Sequence, residues 1–373
     1  MGGRRGEGVA PLQNLVGFFR GLAGVGGRSA ARLSIDIGSS AVKVLEARET
    51  SGALIVSGVG YASLPPTAVQ NNSVVEPERV AEVIAATVRR IEPRTRHVVT
   101  VVPAPAVIVK KIVLPVQDAQ NLEAAVMVEA SHLIPESLDH VNLDFQVLDW
   151  LDDGSKAEVL VVGAKKEIIS SYVNAIAGAG LETVVVDVGH FALENMFELN
   201  YDSAPGKVVG LVDVGARYTS INILEDGRST FTGDVPAGGA EFNDLLMRQL
   251  GVSFQEAELI KAGGQVREYG PVEAEPIISS AIEFLIEEIQ RNLSFFWTAA
   301  TEEPLSAIYL SGGSAAVPGF AAQLSRRLGV PVELVDPFRR LGIDGRVDQN
   351  LIRENGPAFA VCVGLATRQP GDK

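Results

Sequence analysis

From Leu33 onward the chain alternates between short apolar runs and longer stretches whose apolar residues recur three and four positions apart. The runs predict strands and the stretches predict helices. "LSIDI", "AVKVLEA" and "ALIVSGVGYASL" read as three strands, followed by a helix "PERVAEVIAATVRRI" with Val80, Val83, Ile84, Thr87, Val88 and Ile91 on its buried side. "HVVTVV" is a further strand, closed by Pro103. Next come a helix in "DAQNLEAAVMVEASHLI" and a strand hairpin in "VNLDFQVLDWLDDGSKAEVLVVGA" that turns at Asp153 and Gly154. "KEIISSYVNAIAGAG" is a helix ending at Gly178 or Gly180, and "LETVVVDV" the strand after it.

A polar join, "NYDSAPGK", leads to a second series. "VVGLVDVGARYTSINILEDGRSTFTGDVPAGG" reads as strand, turn, strand, turn, strand. Helices follow in "AEFNDLLMRQLG", "SFQEAELIKAG" and "EPIISSAIEFLIEEIQRNLSFFWTAA", the last with a core stripe of Ile278, Ile282, Leu285, Ile289 and Leu293. "SAIYLSGG" is a strand entering a glycine turn, "VPGFAAQLSRRLG" a helix, "VPVELVD" a strand and "GPAFAVCVGLATR" a closing helix.

Composition narrows what such an α/β chain does. At 373 residues it exceeds one ordinary core and fits two or three domains. The net charge of −14 argues against nucleic-acid binding through a broad basic surface. Small anionic ligands stay possible, because backbone amides and helix N-termini bind them without net positive charge. Cys362 is the sole cysteine, so the chain forms no internal disulfide and no cysteine metal cluster, which suits a reducing cytoplasm. No apolar stretch approaches the ~20 residues of a membrane-spanning helix. Residues 1–30, with nine glycines and four arginines, read as a flexible leader. Within it Leu12, Leu15, Val16, Phe19 and Leu22 fall at helical spacing, a face for a partner, a bilayer surface or the chain's own domain.

The two series begin alike. Aligning Asp36 on Asp213 superposes "LSIDIGSSAVKVLEA" on "GLVDVGARYTSINIL": an apolar strand, Asp, an apolar residue, Gly, small or polar residues, and a second strand. One such turn is ordinary hairpin chemistry, whereas two opening matching runs suggest duplicated domains facing across a cleft. The pair suits a nucleotide. Gly38 and Gly215 let the backbone approach a phosphate, and the amides of Ser39 and Ser40 donate to its oxygens. Asp36 and Asp213, on opposite sides of the cleft, would hold a hydrated Mg²⁺ through its waters. Lys43 adds a mobile charge from the exit strand.

Taken singly, these are a turn acid and a surface lysine. Gly238 and Gly239 precede a helix N-terminus suited to the terminal phosphate. Gly312 and Gly313 lie between strand and helix, where a base and ribose approach backbone. Glu258 and Lys261, three apart on one helix face, either reach a ribose hydroxyl or base edge or form a plain intrahelical ion pair.

These motifs resemble the actin-like ATPase superfamily of actin, heat-shock chaperones, sugar kinases and FtsA, over nearly all of residues 31–368. "IDIGSSAVKVLE" resembles its first phosphate motif, "LVDVGARYTSINI" the second, with Thr219 on the phosphate side, and "IYLSGGSAAVPGFAAQL" the adenosine motif. The resemblance implies ATP and Mg²⁺ between two actin-like (ribonuclease H-like) lobes, with Glu258 and Lys261 at the adenosine. Within the superfamily, "IDIGSSAVKVLE", "SFQEAELIKAG" and the insertion after "VVPAP" look like the PilM family of type IV pilus assembly.

That family resemblance implies an FtsA-type inserted subdomain. The expected division is a leader at 1–30, a first lobe at 31–104 and 181–206, the insert at 105–180, a second lobe at 207–340 and a closing segment at 341–373. It also implies a cytoplasmic scaffold, peripheral to the inner membrane, that binds the N-terminal peptide of a PilN-like membrane protein in an apolar channel between first lobe and insert. Other platform proteins, motor ATPases and further copies of itself complete the expected partners. In chaperone relatives a glutamate after the corresponding strand helps position the attacking water; Gly189 stands at that place, with Asp187 and His190 as substitutes, so ATP is expected to turn over slowly if at all.

Two rivals from other classes remain. A small-molecule kinase of the superfamily would need a catalytic aspartate beside a sugar-shaped pocket, and no such motif stands out. A membrane-tethered filament like FtsA would end in a linker and an amphipathic helix, and the sequence here closes on "ATRQPGDK". There is no G-x-x-x-x-G-K-[ST] loop and no G-x-S-x-G elbow. His97, His132, His140 and His190 lack metal-ligand spacing.

Overall fold

The computed structural model describes residues 31–50, 52–115, 122–202, 206–299 and 304–372. The predicted leader, and parts of the polar join and of the first insert helix, lie outside these residues. In chain order the first elements are β1 (Arg32–Ile37), β2 (Ala41–Thr50), β3 (Ala53–Ser63), β4 (Val69–Gln70), β5 (Ser73–Val74), α1 (Pro77–Ile91), β6 (His97–Val102), β7 (Val107–Pro115), α2 (Leu122–Leu133), β8 (Val141–Leu151), β9 (Lys156–Lys165), α3 (Lys166–Gly178), β10 (Glu182–Val188) and α4 (Gly189–Asn200). There follow β11 (Val208–Val214), β12 (Thr219–Glu225), β13 (Arg228–Val235), α5 (Ala240–Leu250), α6 (Phe254–Lys261), α7 (Pro271–Ala299), β14 (Leu305–Ser311), α8 (Phe320–Leu328), β15 (Val332–Leu334), β16 (Gly342–Ile343), α9 (Gln349–Asn355) and α10 (Ala360–Leu365).

Two sheets carry the duplication. The first runs β10-β6-β1-β2-β3-β16 and the second β13-β12-β11-β14-β15. Read from its parallel edge, β15-β14-β11-β12-β13 repeats β10-β6-β1-β2-β3 strand for strand, with the hairpin strands antiparallel and the crossover strands parallel. The repeat extends past the aspartate turns, since α4 follows β10 as α10 comes after β15. Those two helices lie between the sheets: Leu193, Met196 and Phe197 of α4 and Val361, Val363 and Leu365 of α10 join Val99 and Val185 of one sheet and Leu211 and Leu224 of the other in one core. At the crossing, a Cβ on Gly364 would stand 1.7 Å from the Ala192 carbonyl, so the helices touch backbone to backbone.

α1 and α3 cover the outer face of the first sheet, where Val80, Ile84, Ile169, Tyr172 and Ile176 are buried. α7 covers the second with the expected stripe of Ile278, Ile282, Leu285, Ile289 and Leu293. This helix starts at Pro271, whereas the sequence suggests Glu275 because Pro276 mimics a first-turn proline; Pro276 lies inside the helix.

The insert has a sheet of its own, β7-β9-β8, and a separate core of Leu114, Val126, Ala130, Ile134, Val141, Val159 and Val161. Its first strand, β7, is absent from the sequence reading, and the expected 105–180 unit divides at Lys165. β7, α2, β8 and β9 form the insert, while α3 packs into the first lobe's core.

Candidate functional site

The first hairpin folds as its residues dictate. Gly38 donates its amide to the Ala41 carbonyl at 3.0 Å, closing the turn, and the antiparallel register sets Asp36 opposite Lys43. Their side chains meet at 2.9 Å, both largely buried, and a Cβ on Gly38 would stand 2.9 Å from Lys43 Nζ. The ammonium is therefore tucked against the turn. Burial alone would lower the Lys43 pKa, but the charge and hydrogen bond of Asp36 outweigh it and hold the lysine above its ordinary range.

In the second lobe three glycine turns converge on Asp213. Gly215 donates to the Tyr218 carbonyl at 2.9 Å, closing the second hairpin turn. The amides of Gly239 and Ala240 donate to the carbonyls of Gly215 and Ala216 at 2.8 and 2.7 Å, and a Cβ on Gly238 would meet the Gly215 oxygen at 2.5 Å. Gly238 and Gly239 thus bring close approach, while the amides of Gly239 and Ala240 are already engaged. Thr219 is buried and donates its hydroxyl to the Ala237 carbonyl at 2.9 Å, locking the same segment.

Gly312 holds φ at +96° with its Cβ position 2.4 Å from the Val214 oxygen, a place only glycine takes. Gly313 beside it is exposed, with open space at its Cβ position. The Ser311 hydroxyl donates to Asp213 Oδ1 at 2.8 Å.

Asp213 is pushed upward in pKa by burial, against the Ser311 hydrogen bond and Lys43, with Asp36 adding repulsion. Two carboxylates that feel each other, one with an oxygen left over from Ser311 and one from Lys43, offer the hard oxygen donors Mg²⁺ takes alongside phosphate oxygens and water. The donor set fits that ion as a partner of a bound phosphate. Among the described residues no group of three or more His, Cys, Asp or Glu side chains is placed to hold a metal by itself.

Glu258 and Lys261 do pair, at 2.6 Å, and Glu258 also accepts from the side-chain amide of Asn243. In this conformation the plain ion pair is what the structure shows, with Lys261 nearly buried and Glu258 two-fifths exposed. Sequence reasoning passed over Tyr61. It lies opposite Lys43 on β3, half-buried, its pKa raised by burial and by the nearby charges of Glu258 and Asp36 against that of Lys43. A phenol from the first lobe thereby feels the charge of a carboxylate in the second. Period-two alternation along β3 was the available signal, since it puts Tyr61 beside Lys43.

Of the two substitutes for the missing glutamate, Asp187 is engaged elsewhere. Arg368 grips it at 2.7 and 3.2 Å in a fully buried pair, which ties the end of α10 to β10. His190, at the start of α4, is buried without a hydrogen bond to either ring nitrogen. A groove between α1 and α3 has Glu78, Glu82, Arg89 and Asn174 beside Pro77, Ala81, Ala85 and Gly178. Exposed apolar side chains on the insert are Val113, Met127, Val128 and Trp150.

Comparison with known proteins gives a concordant picture. The family described as type IV pilus assembly protein PilM matches residues 34–370. The solved PilM-PilN type IV pilus biogenesis complex contains a chain 29% identical, with a TM-score of 0.79 over 91% of this chain and 98% of that one. Cell division protein FtsA of Bacillus subtilis is 22% identical over 89% of this chain and 82% of its own. The ethanolamine utilization protein EutJ of Carboxydothermus hydrogenoformans shares the fold, with a TM-score of 0.52 at 18% identity over 91% of this chain and 89% of that one.

Proposed function

The chain belongs to the type IV pilus assembly protein PilM family, and from that premise we propose that it is an ATP-binding, actin-like scaffold of the pilus assembly platform that holds the N-terminal cytoplasmic peptide of a PilN-like membrane protein. The observation that carries this is the match to the PilM-PilN complex across nine-tenths of the chain. The convergent turns at Gly38, Gly215, Gly238, Gly239, Gly312 and Gly313 support a nucleotide between the lobes, with its phosphates at Lys43 and Mg²⁺ at Asp36 and Asp213. Glu258 and Lys261, with Tyr61 opposite, would meet the sugar or base once a ligand competes for their mutual ion pair. The peptide would lie where insert and first lobe meet.

Attachment to the membrane would come through that partner, at the cytoplasmic face; no helix among the described residues is long and apolar enough to cross a bilayer. Other platform proteins, motor ATPases and self-association extend the same scaffold role. Fluorescence anisotropy with a labelled N-terminal peptide of a PilN-like protein tests the partner, and calorimetric titration with MgATP tests the ligand. Saturable binding is expected in both, with the heat of MgATP binding lost in Asp213→Ala. A wild-type chain that binds neither would overturn the proposal.

A further inference from the structure

A polar row crosses the second sheet beside the phosphate turns. Asp213 on β11 pairs in register with Ser220 on β12, and Ser220 with Asp234 on β13, so the three side chains stand side by side on one face. Ser220 donates its hydroxyl to Asp234 Oδ1 at 2.7 Å. His190 meets this row from the other lobe. Its Nε2 lies 3.5 Å from the same Asp234 oxygen, and its backbone carbonyl accepts from Asn222, two residues along from Ser220.

The ring is 3% exposed, and neither nitrogen makes a hydrogen bond among the described residues. A buried polar atom left so is uncommon and costs stability, which makes it a candidate for a role that only a ligand completes.

We propose that His190 is the general base for hydrolysis of a nucleoside triphosphate bound in the cleft, and that Asp234 is its positioning residue. This rests on the nucleotide reading above. With Nε2–H turned toward the Asp234 carboxylate, Nδ1 is left to accept a proton. In the step, the oxygen of a water forms a bond to the terminal phosphorus. The bond from that phosphorus to the bridging oxygen breaks, and the leaving nucleoside diphosphate keeps the electron pair. The water's proton passes to Nδ1, and inorganic phosphate is released. Asp213 at one end of the row would help hold the metal, and Asp234 at the other end holds the imidazole. Small movements of the lobes admit the water, and the 3.5 Å contact shortens as the pair takes up the proton.

The test uses the full chain labelled with ¹⁵N-histidine. It has four histidines, so His190→Gln identifies the His190 resonances directly. Adding Mg²⁺ and a non-hydrolysable triphosphate should move them, and Asp234→Asn should move them before any ligand is added. In single-turnover hydrolysis both variants should slow by roughly 10²-fold, while triphosphate affinity stays within about threefold, which also shows that the fold is intact. The acid limb of the wild-type pH–rate profile should vanish in His190→Gln, a change that a purely structural contact would not produce. A His190→Gln chain that binds and hydrolyses like wild type overturns the proposal, as does a wild type that binds triphosphate without hydrolysing it. A wild type that fails to bind is read in the titration itself and overturns the nucleotide reading, and this step with it.

Discussion

Lys43 neutralises a carboxylate that the first hairpin has drawn almost out of solvent. Lys43→Met leaves Asp36 without its counter-charge and should cost about 3 kcal/mol in urea denaturation. Adding Asp36→Asn should restore most of that loss, since an uncharged amide no longer needs the ammonium. Glu194 is a second charged residue out of its usual setting, at the junction of α4 with β12 and β13. Burial and then Glu198 push its pKa up to about 7 from 4.5, against the Ser229 amide, Lys111 and Asn222. A carboxyl raised on folding contributes its stability below its unfolded value and loses it as pH climbs through the folded one. Stability should therefore fall between pH 4.5 and 8 by up to about 3 kcal/mol from this group. Thermal melts of Glu194→Gln across that range should lack this slope and exceed wild type at pH 8. A wild-type curve rising over the same interval would contradict the assignment.

Helix α10 sets Gly364 against the Ala192 backbone of helix α4, where position 364 has no room for a side chain. Gly364→Ala should force them apart and destabilise the protein by about 3 kcal/mol. Gly345→Ala, with open space at its Cβ position, should stay within about 0.5 kcal/mol of wild type. Denaturant midpoints at unchanged slope would read both. At this scale the sequence was legible where periodicity is strong: the hairpins at Asp36 and Asp213, the α1 face and the α7 stripe all stand where the pattern puts them. It was silent at β7, where Pro103 and Pro105 precede a partly exposed strand interrupted by Lys110 and Lys111. It was silent also at β16 and α9, too short to show a period. The predicted strand "VPVELVD" shrinks to β15, and the closing helix begins as a 3-10 turn at Gly356–Phe359.

For the whole molecule, duplication was readable because each half repeats a turn that needs an acid and a glycine in fixed order. The matching order of five strands in both sheets deepens that likeness. What local pattern could not give is what the lobes bring together. His190 with Asp234, and Asp187 with Arg368, each join residues more than 40 positions apart, through packing that no window of sequence contains. The insert's limit at Lys165 was hidden likewise, since α3 continues the chain from the insert but gives its apolar face to the first lobe.

On the reading proposed above, a nucleotide between the lobes and a peptide beside the insert are two ligands of one body. Each should then alter the other's affinity by the same factor. The most direct measurement is the dissociation constant of a synthetic PilN N-terminal peptide with and without saturating MgATP. Saturable binding that differs between the two conditions by about fivefold or more is the predicted result. No saturable binding in either condition would contradict the account at its centre.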